Sequence, residues 1–280
     1  MADRPERRAP KAQGAQVLRT EQITPHMIRV VLGGDGFAAF ALAGFTDHYV
    51  KLCFAPEGAD YTHPFDMARI REEYPRELWP TTRTYTVRSW DPAARELAID
   101  FVVHGDEGLA GPWAAGAQPG DQVTFLGPGG GYAPDASADW HLLAGDESAL
   151  PAVAAALEQM PAGAVVHAYV EVADAAEEQK IATPDGVEVT WLHRAGRPVG
   201  AALTEAVTGL EFPSGRVQAF VHGEAGFVKE VRRHLRLERE IPASQLSISG
   251  YWRLGHDDEA WRSVKRQWNE QVEREQESAA

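Results

Sequence analysis

The pattern of the chain changes once, at the Gly- and Pro-rich stretch GPGGGYAPD, residues 127–135. Before it, short alternating runs are separated by Gly and Pro: QVLRTEQITPHMIRVVLGG, HYVKLCFAP, TRTYTVRSW, ELAIDFVVHG and DQVTFLGP. Such spacing favours a closed antiparallel β-barrel over a helical domain. After it, strand-like and helix-like runs alternate, which is typical of an open parallel sheet. The sequence therefore predicts a fold of the class β-barrel plus α/β.

Three parts of the chain follow from this pattern. We assign residues 15–133 to the barrel domain, 138–256 to the α/β domain and 257–280 to a C-terminal helix and tail. The segment ADYTHPFDMARIREEYPRELWPT, which separates two strands, is predicted to be a long loop with a helical turn. In the C-terminal part, Trp261 and Trp268 are seven residues apart, which predicts a polar helix with both rings on one face.

Composition excludes several classes of function. With 27 Lys and Arg against 41 Asp and Glu, the net charge is −14, so a nucleic acid or an anionic membrane is a poor partner. Cys53 is the only cysteine, which excludes a structural disulfide or a cysteine-ligated metal within one chain. The N-terminus, MADRPERRAPKAQG, is polar, and no run reaches the ~18 apolar residues of a membrane span. We expect a cytoplasmic monomer without membrane insertion.

The hexapeptide RTYTVR, residues 83–88, invites two interpretations. Alternation in a strand sends Arg83 and Tyr85 to one side of the sheet and Thr86 and Arg88 to the other. Arg and Tyr are common on exposed strand faces, where they serve as ordinary cross-strand pairs. The same pair can bind a flat anionic ligand, because a guanidinium suits phosphate oxygens and an aromatic face suits a planar ring.

Several motifs in fixed order carry a resemblance to a known family. They are DHYVKL, RTYTVR, DFVVHG, LLAGDESALPA and GYWRLG, and together they span nearly the whole chain. In these motifs the chain resembles the siderophore-interacting protein family, flavin-dependent ferric-siderophore reductases of the ferredoxin reductase-like superfamily. The resemblance implies an FAD-binding barrel followed by a Rossmann-like domain that binds NADPH or NADH.

The resemblance implies a flavin site on the barrel. Arg83 would contact the FAD pyrophosphate, Tyr85 would lie against the isoalloxazine ring, and Thr86 would lie near the flavin nitrogen that accepts hydride. Where the family reads Gly-Pro-Ala-Ser-x-Trp-Ala, this chain has Gly111 in place of the serine and so lacks its hydroxyl. His104 lines the flavin site or is an ordinary surface histidine, and no metal site is expected. The remaining residues assigned to the cofactor in this part are Asp100, Val102, Trp113 and Ala114.

The resemblance also implies a nicotinamide site at the start of the second domain. Gly145, Asp146 and Glu147 follow a strand and precede a helix, at the sheet edge where doubly wound folds bind ligands. The two acids can instead be ordinary residues at a helix N-terminus. Glu224 lies at a later strand–helix junction. Arg194 favours NADPH through the ribose phosphate, although acids in the same region would favour NADH.

The function implied is reduction of a ferric siderophore by NAD(P)H through FAD, releasing iron(II) in the cytoplasm. Lys51 and Arg253 match positions that the family uses for an anionic substrate, although each can be a surface ion pair. A third cation of the family is replaced by Gly131 or Tyr132, which leaves the siderophore class open. The C-terminal helix can pack on the barrel or cover the nicotinamide site, and ferredoxin is an alternative donor. A general flavin or quinone reductase and a non-enzymatic siderophore-binding protein are the other interpretations.

Overall fold

The computed structural model describes residues 12–105, 108–256 and 258–277, so most of the polar N-terminal stretch and the last three residues lie outside the described residues. The chain forms two sheets, one antiparallel and one parallel, which confirms the predicted fold class. The first sheet has seven strands: β1 (Gln13–Thr24), β2 (Met27–Gly33), β3 (Tyr49–Phe54), β4 (Thr81–Thr86), β5 (Ser89–Asp91), β6 (Glu96–Val102) and β7 (Gln122–Gly129).

A bend after β4 closes the first sheet into a barrel. The strand order is β4-β3-β7-β1-β2-β6-β5, so the two outer strands are consecutive in the chain. The Val87 N–H donates to the carbonyl of His48, beside β3, and the Arg88 N–H donates to the carbonyl of Ala98 in β6. The prediction of one strand through TRTYTVRSW is therefore wrong at its centre, because the chain changes hydrogen-bonding partner there.

The barrel interior is filled by aromatic and branched side chains. Phe37 contacts Phe40, Trp90 and Phe125 with ring centroids about 5 Å apart, at angles from stacked to edge-on. Gly36 lies so close to the backbone that an added Cβ would be 1.8 Å from the carbonyl oxygen of Gly14. Only glycine can occupy that position.

The predicted loop between β3 and β4 contains a short helix, α1 (Met67–Glu73), as expected from the sequence. Asp66 caps it by accepting hydrogen bonds from the backbone N–H of Ala68 and Arg69. Phe65 and Ile70 are buried in a small cluster that covers Cys53. The segment therefore packs on the outside of the barrel rather than extending into solvent.

The second sheet is parallel and has the strand order β10-β9-β8-β11-β12. The chain starts in the middle, runs to one edge and then returns to the other side, so the order reverses between β8 and β11. In such folds this reversal creates a crevice at the carboxyl ends of the strands, where ligands bind. The strands are β8 (Trp140–Gly145), β9 (Val166–Val172), β10 (Val189–His193), β11 (Val217–Glu224) and β12 (Leu246–Trp252), and the helices are α3 (Leu150–Leu157), α4 (Ala201–Thr208) and α5 (Ala225–Arg233).

Polar contacts join the barrel to the parallel sheet. Arg88, which follows β4, forms a two-point ion pair with Glu158 at the end of α3. In the hairpin between β1 and β2, Thr24 and His26 both bond to the buried carboxylate of Glu177, which follows β9. The carboxyl end of the parallel sheet is therefore held against one end of the barrel.

A final helix, α6 (Asp258–Glu277), lies along the edge strand β12 and α5. Trp261 is buried and its ring approaches Gly250, and it meets Trp268 edge-on at 5.4 Å, as predicted from their spacing. Lys229 of α5 forms an ion pair with Glu275. Across the described ranges, no helix combines the length and apolar character that a membrane crossing requires.

Candidate functional site

The end of β4 lies against the edge strand of the parallel sheet. Thr86, the last residue of β4, is buried and lies close to the hydroxyl of Tyr251 of β12. Burial raises the pKa of the Tyr251 hydroxyl, and nearby Asp47 and Asp146 raise it further. The barrel strand that carries RTYT therefore ends where the second sheet has its ligand-binding edge.

Tyr85 rests on an aromatic cluster of the barrel. Its ring lies 4.3 Å from that of Phe101, which in turn lies 5.6 Å from Trp113. Tyr85 is only partly buried, so it packs on the core and remains partly accessible. The sequence predicted an aromatic surface at Tyr85, and the structure adds the side chains that fix its orientation.

Arg83 lies on the same strand and contacts the C-terminal helix. Its guanidinium bonds to Glu259 of α6 at 2.7 Å and to the carbonyl of Thr82 at 3.1 Å. Arg262, one turn further along α6, donates to the same Thr82 carbonyl at 2.8 Å. The cation assigned to a cofactor pyrophosphate is therefore paired with a carboxylate 176 residues away, a contact that no local sequence signal predicts.

Helix α2 (Ala110–Gly116) lies next to β6, close to Tyr85. Leu109 precedes it and makes no capping side-chain bond, so the first backbone N–H groups of α2 lack a side-chain acceptor from their own N-cap. A Cβ added at Gly111 would lie 3.3 Å from the carbonyl oxygen of Val102. The glycine that replaces the family's serine thus permits close packing of α2 on β6. Ala114 is buried in this contact.

Asp100 belongs to a buried ion cluster. Both of its carboxylate oxygens accept from Arg29, and Arg88 lies 3.9 Å away. The carboxylate is thus engaged in holding β2, β6 and the residue after β4 together. The assignment of Asp100 to the cofactor stays a prediction. The ion pairs of Arg88 with Asp100 and Glu158 give that arginine a structural role.

A cavity of about 200 Å³ lies between the barrel and the carboxyl edge of the parallel sheet. Val102 and His104 line it from the barrel, and Glu147 and Arg194 line it from the sheet. Arg194 makes a two-point ion pair with Glu147 and lies 3.8 Å from the fully buried Glu171. The structure therefore brings four predicted residues together, but with the Arg194 cation already neutralised by carboxylates.

Asp146 joins the ends of three neighbouring strands. Its carboxylate follows β8 and accepts from the backbone N–H of Glu224 at 2.7 Å and from the indole of Trp252 at 2.9 Å. Ser148 donates to the other oxygen. Burial raises the pKa of Asp146 to about 6, against the lowering effect of these donors. The predicted pair of Gly145 and Asp146 thus lies in the crevice of the parallel sheet.

Two titratable side chains near this crevice were missed by sequence reasoning. His222 of β11 is buried, with Nε2 3.0 Å from the Ser247 hydroxyl and its ring 5.0 Å from that of Tyr251. Burial, together with the nearby Lys265 of α6, lowers its pKa to about 3. Burial also lowers the pKa of Lys265. No local sequence motif marks either residue, because the environment of both depends on the packing of α6 on β12.

The two predicted substrate cations lie on different elements. Lys51 projects from β3 and is exposed, whereas Arg253 directly follows β12 and is half-buried. Gly131 donates its N–H to Asp47, and Tyr132 is buried against Phe220. Among the residues that the structure describes, no group of three His, Cys, Asp or Glu side chains is arranged to hold a metal ion.

Comparison with known proteins covers both domains. Residues 16–132 match the model described as "Siderophore-interacting FAD-binding domain", and residues 138–255 match the model described as "Siderophore-interacting protein". A solved siderophore utilization protein from T. fusca is 40% identical with a TM-score of 0.77, covering 90% of this chain and 96% of that one.

Two relatives have names that state an activity. The ferric vibriobactin reductase of Vibrio cholerae is 34% identical over 254 residues, 89% of this chain and 92% of the relative. The NADPH-dependent ferric-chelate reductase of Escherichia coli K12 is 34% identical over 242 residues, 84% of this chain and 91% of the relative.

Proposed function

The chain belongs to the siderophore-interacting protein family, and from this premise we propose that it is an FAD-dependent ferric-siderophore reductase. The observation that carries the proposal is the position of Thr86, which ends β4 close to Tyr251 of β12. It joins the end of the flavin-binding strand to the nucleotide-binding edge of the parallel sheet. A flavin on β4 and a nicotinamide at that edge would therefore meet at one place.

The residues present fit an FAD molecule. Tyr85 offers a partly accessible aromatic face, and Arg83 offers a guanidinium on the same strand. The first backbone N–H groups of α2 have no side-chain acceptor from the N-cap residue, so they can donate to phosphate oxygens. When bound, FAD supplies the conversion of a two-electron hydride donor into a one-electron reductant.

NADPH is the donor that we propose, on the basis of the NADPH-dependent relative. The Asp146 crevice and the cavity beside Glu147 and Arg194 are the places for the nicotinamide and the adenosine ends. Because Glu147 and Glu171 neutralise Arg194, binding of a ribose phosphate there requires that the guanidinium exchange one carboxylate for the phosphate. Ferredoxin is the alternative donor.

The substrate that we propose is an iron(III) siderophore complex bound near Lys51 and Arg253. Both cations belong to elements that flank the Thr86 contact, β3 and the residue after β12. Iron(II) binds hard oxygen ligands less tightly than iron(III), so reduction releases the metal from the chelate. The proposal places this reaction in the cytoplasm and assigns it to a monomer.

An anaerobic visible spectrum tests the proposal. The purified protein is loaded with FAD, NADPH or NADH is added, and a ferric siderophore follows. We expect the flavin absorbance to bleach with the nucleotide and to return when the iron complex is added. If a quinone restores the flavin absorbance at the same rate as the ferric siderophore, a general reductase is favoured instead.

Two other outcomes would redirect the assignment. If flavin binds but neither nucleotide reduces it, ferredoxin becomes the donor to test. If a preparation with intact fold binds no FAD, the flavin site on β4 is wrong. Arg83→Gln serves as the matched variant, because it should weaken FAD binding without removing a core side chain.

A further inference from the structure

Two exposed aromatic side chains flank the same end of the barrel. Phe45 is 38% exposed and Tyr49 is 37% exposed, which is unusual for rings of this size. Tyr49 and Lys51 alternate along β3 with the fully buried Val50 between them. The phenol and the ammonium group therefore project from the same outer face of the strand.

Two glycines at the end of β7 leave room for these aromatic side chains. Tyr49 pairs with Gly129, and a Cβ added at Gly129 would lie 2.4 Å from the Tyr49 ring. A Cβ added at Gly130 would lie 2.8 Å from His48 Nδ1 and 3.2 Å from Phe45 Cβ. The Tyr49 ring thus occupies space that a side chain at 129 would otherwise fill, and His48 and Phe45 do so at 130, whereas nothing lies within 4 Å of a Cβ built on Gly131.

His48 fixes the first of the rings. Its Nδ1 lies 2.9 Å from the carbonyl oxygen of Gly129 and its Nε2 lies 3.0 Å from that of Ala43. The Phe45 ring meets the imidazole edge-on at 5.7 Å. The buried imidazole of His48 contacts the Phe45 ring and limits the positions that this ring can take before a ligand arrives, which reduces the entropy lost on binding.

This aromatic surface adjoins the end of the flavin strand. Tyr49 pairs with Thr86 across the β3–β4 ladder, and the nearby Tyr49 phenol also raises the pKa of Tyr251. A molecule that rests on Phe45 and Tyr49 would therefore lie beside the residue assigned to the reactive end of the flavin.

The charge around the rings is nearly balanced. Lys51 supplies one exposed cation, and the carboxylate of Asp47 accepts from the backbone N–H groups of Gly131 and Tyr132, both at 2.8 Å. A strongly anionic chelate would meet this carboxylate, and only Lys51 and Arg253 are assigned to offset the charge of the chelate. Contact with aromatic rings does not depend on charge, so it suits a chelate of low charge.

We propose that Phe45, Tyr49 and Lys51 form a recognition surface for ferric chelates that carry aromatic rings and little net charge. The inference rests on the proposed function and deepens it, because contact with aromatic rings, rather than a third cation, would select the class of substrate. Phe45 and Tyr49 select aryl groups, while Lys51 donates hydrogen bonds to ligand oxygens.

Binding of gallium(III) complexes tests the surface without electron transfer, because gallium(III) is not reduced under these conditions. Two uncharged complexes are compared on FAD-loaded, oxidised protein: tris(benzohydroxamato)gallium(III), with three phenyl rings, and tris(acetohydroxamato)gallium(III), with three methyl groups. We expect the phenyl complex to bind about tenfold more tightly. Tyr49→Ala and Phe45→Ala should remove most of this preference, and Tyr49→Phe should retain it. Val165→Ala, at an exposed apolar residue outside this surface, is the control.

Three results would overturn the inference. The first is an equal preference for the phenyl complex in the wild type and both alanine variants. The second is tighter binding of the triply negative gallium(III) tris-catecholate than of the neutral phenyl complex. The third is a change in sedimentation of the alanine variants, which would make the surface an interface between copies. Because no iron is reduced, these results are independent of whether the protein proves to be a reductase.

Discussion

Arg83 of β4 and Glu259 of α6 form an ion pair of 2.7 Å, so the C-terminal helix contacts the same guanidinium that is assigned to the FAD pyrophosphate. The Arg83 side chain is 13% exposed, whereas that of Glu259 is 61% exposed. Arg262 ties the same turn of the helix to the backbone of β4. If Arg83 binds the FAD pyrophosphate as proposed, the phosphate oxygens and the Glu259 carboxylate compete for one cation.

This competition predicts the effect of Glu259→Gln. Without the carboxylate, Arg83 loses one ion-pair partner that competes with FAD, so we expect FAD affinity to rise about threefold, the range of an exposed ion pair. Fluorescence titration of the apoprotein with FAD measures it. Glu270→Gln is the matched control, because Glu270 pairs with Arg266 on the same helix. Equal affinity in both variants would show that the ion pair does not oppose FAD.

Arg194→Gln tests the choice between the two nicotinamide cofactors. If the guanidinium exchanges Glu147 for the ribose phosphate, kcat/KM for NADPH should fall about tenfold while that for NADH changes little. Steady-state rates with both donors and one ferric chelate give the ratio. An equal loss with both donors would instead mean that Arg194 acts by holding Glu147.

Gly111→Ser tests the departure from the family pattern. The new Cβ would lie 3.3 Å from the Val102 carbonyl oxygen, so α2 must shift and we expect a loss of about 1 kcal/mol of stability. The melting temperature reports this loss. Gly116→Ser is the control on the same helix, since nothing lies within 4 Å of an added Cβ there. A serine that raises both the melting temperature and FAD affinity would contradict the expectation.

The raised pKa of Asp146, about 6, predicts a pH dependence of stability. The folded protein holds the Asp146 proton more tightly than the unfolded chain, whose carboxyl has a pKa near 3.8. The resulting stabilisation is complete below about pH 3.8 and is lost as the pH rises through 6. We therefore expect the free energy of unfolding of the wild type to fall relative to Asp146→Asn between pH 4 and 7. Denaturant titrations at several pH values measure it, and a constant difference would mean that Asp146 titrates normally.

The local pattern was sufficient for much of the fold. Alternation and Gly/Pro spacing predicted the barrel strands, the α1 segment and the order of strands and helices in the second domain as far as α5, but not the edge strand β12. It misjudged β4, because no residue in RTYTVR signals that Val87 and Arg88 bond to different neighbouring strands. Alternation records which face a side chain occupies, but it does not record which strand the backbone pairs with.

In the candidate site, too, local sequence predicted some features and tertiary packing supplied the others. Local motifs identified Tyr85, Asp146 and Glu147, because each lies in a short run whose chemistry depends on neighbours in the chain. The partners of these residues come from distant segments: Phe101 for Tyr85, Trp252 for Asp146 and Arg194 for Glu147.

The sequence by itself determined most of the elements that form and the faces that they bury, and it predicted a flavin site at Arg83 and Tyr85. Only the tertiary structure decided that Glu259 pairs with Arg83, that Arg194 is neutralised by Glu147 and that Phe45 and Tyr49 remain exposed beside Thr86. The physical reason is the distance along the chain over which each effect acts. Backbone preference and hydrophobic alternation act over a few residues, whereas ion pairing and burial depend on packing between segments far apart in the chain.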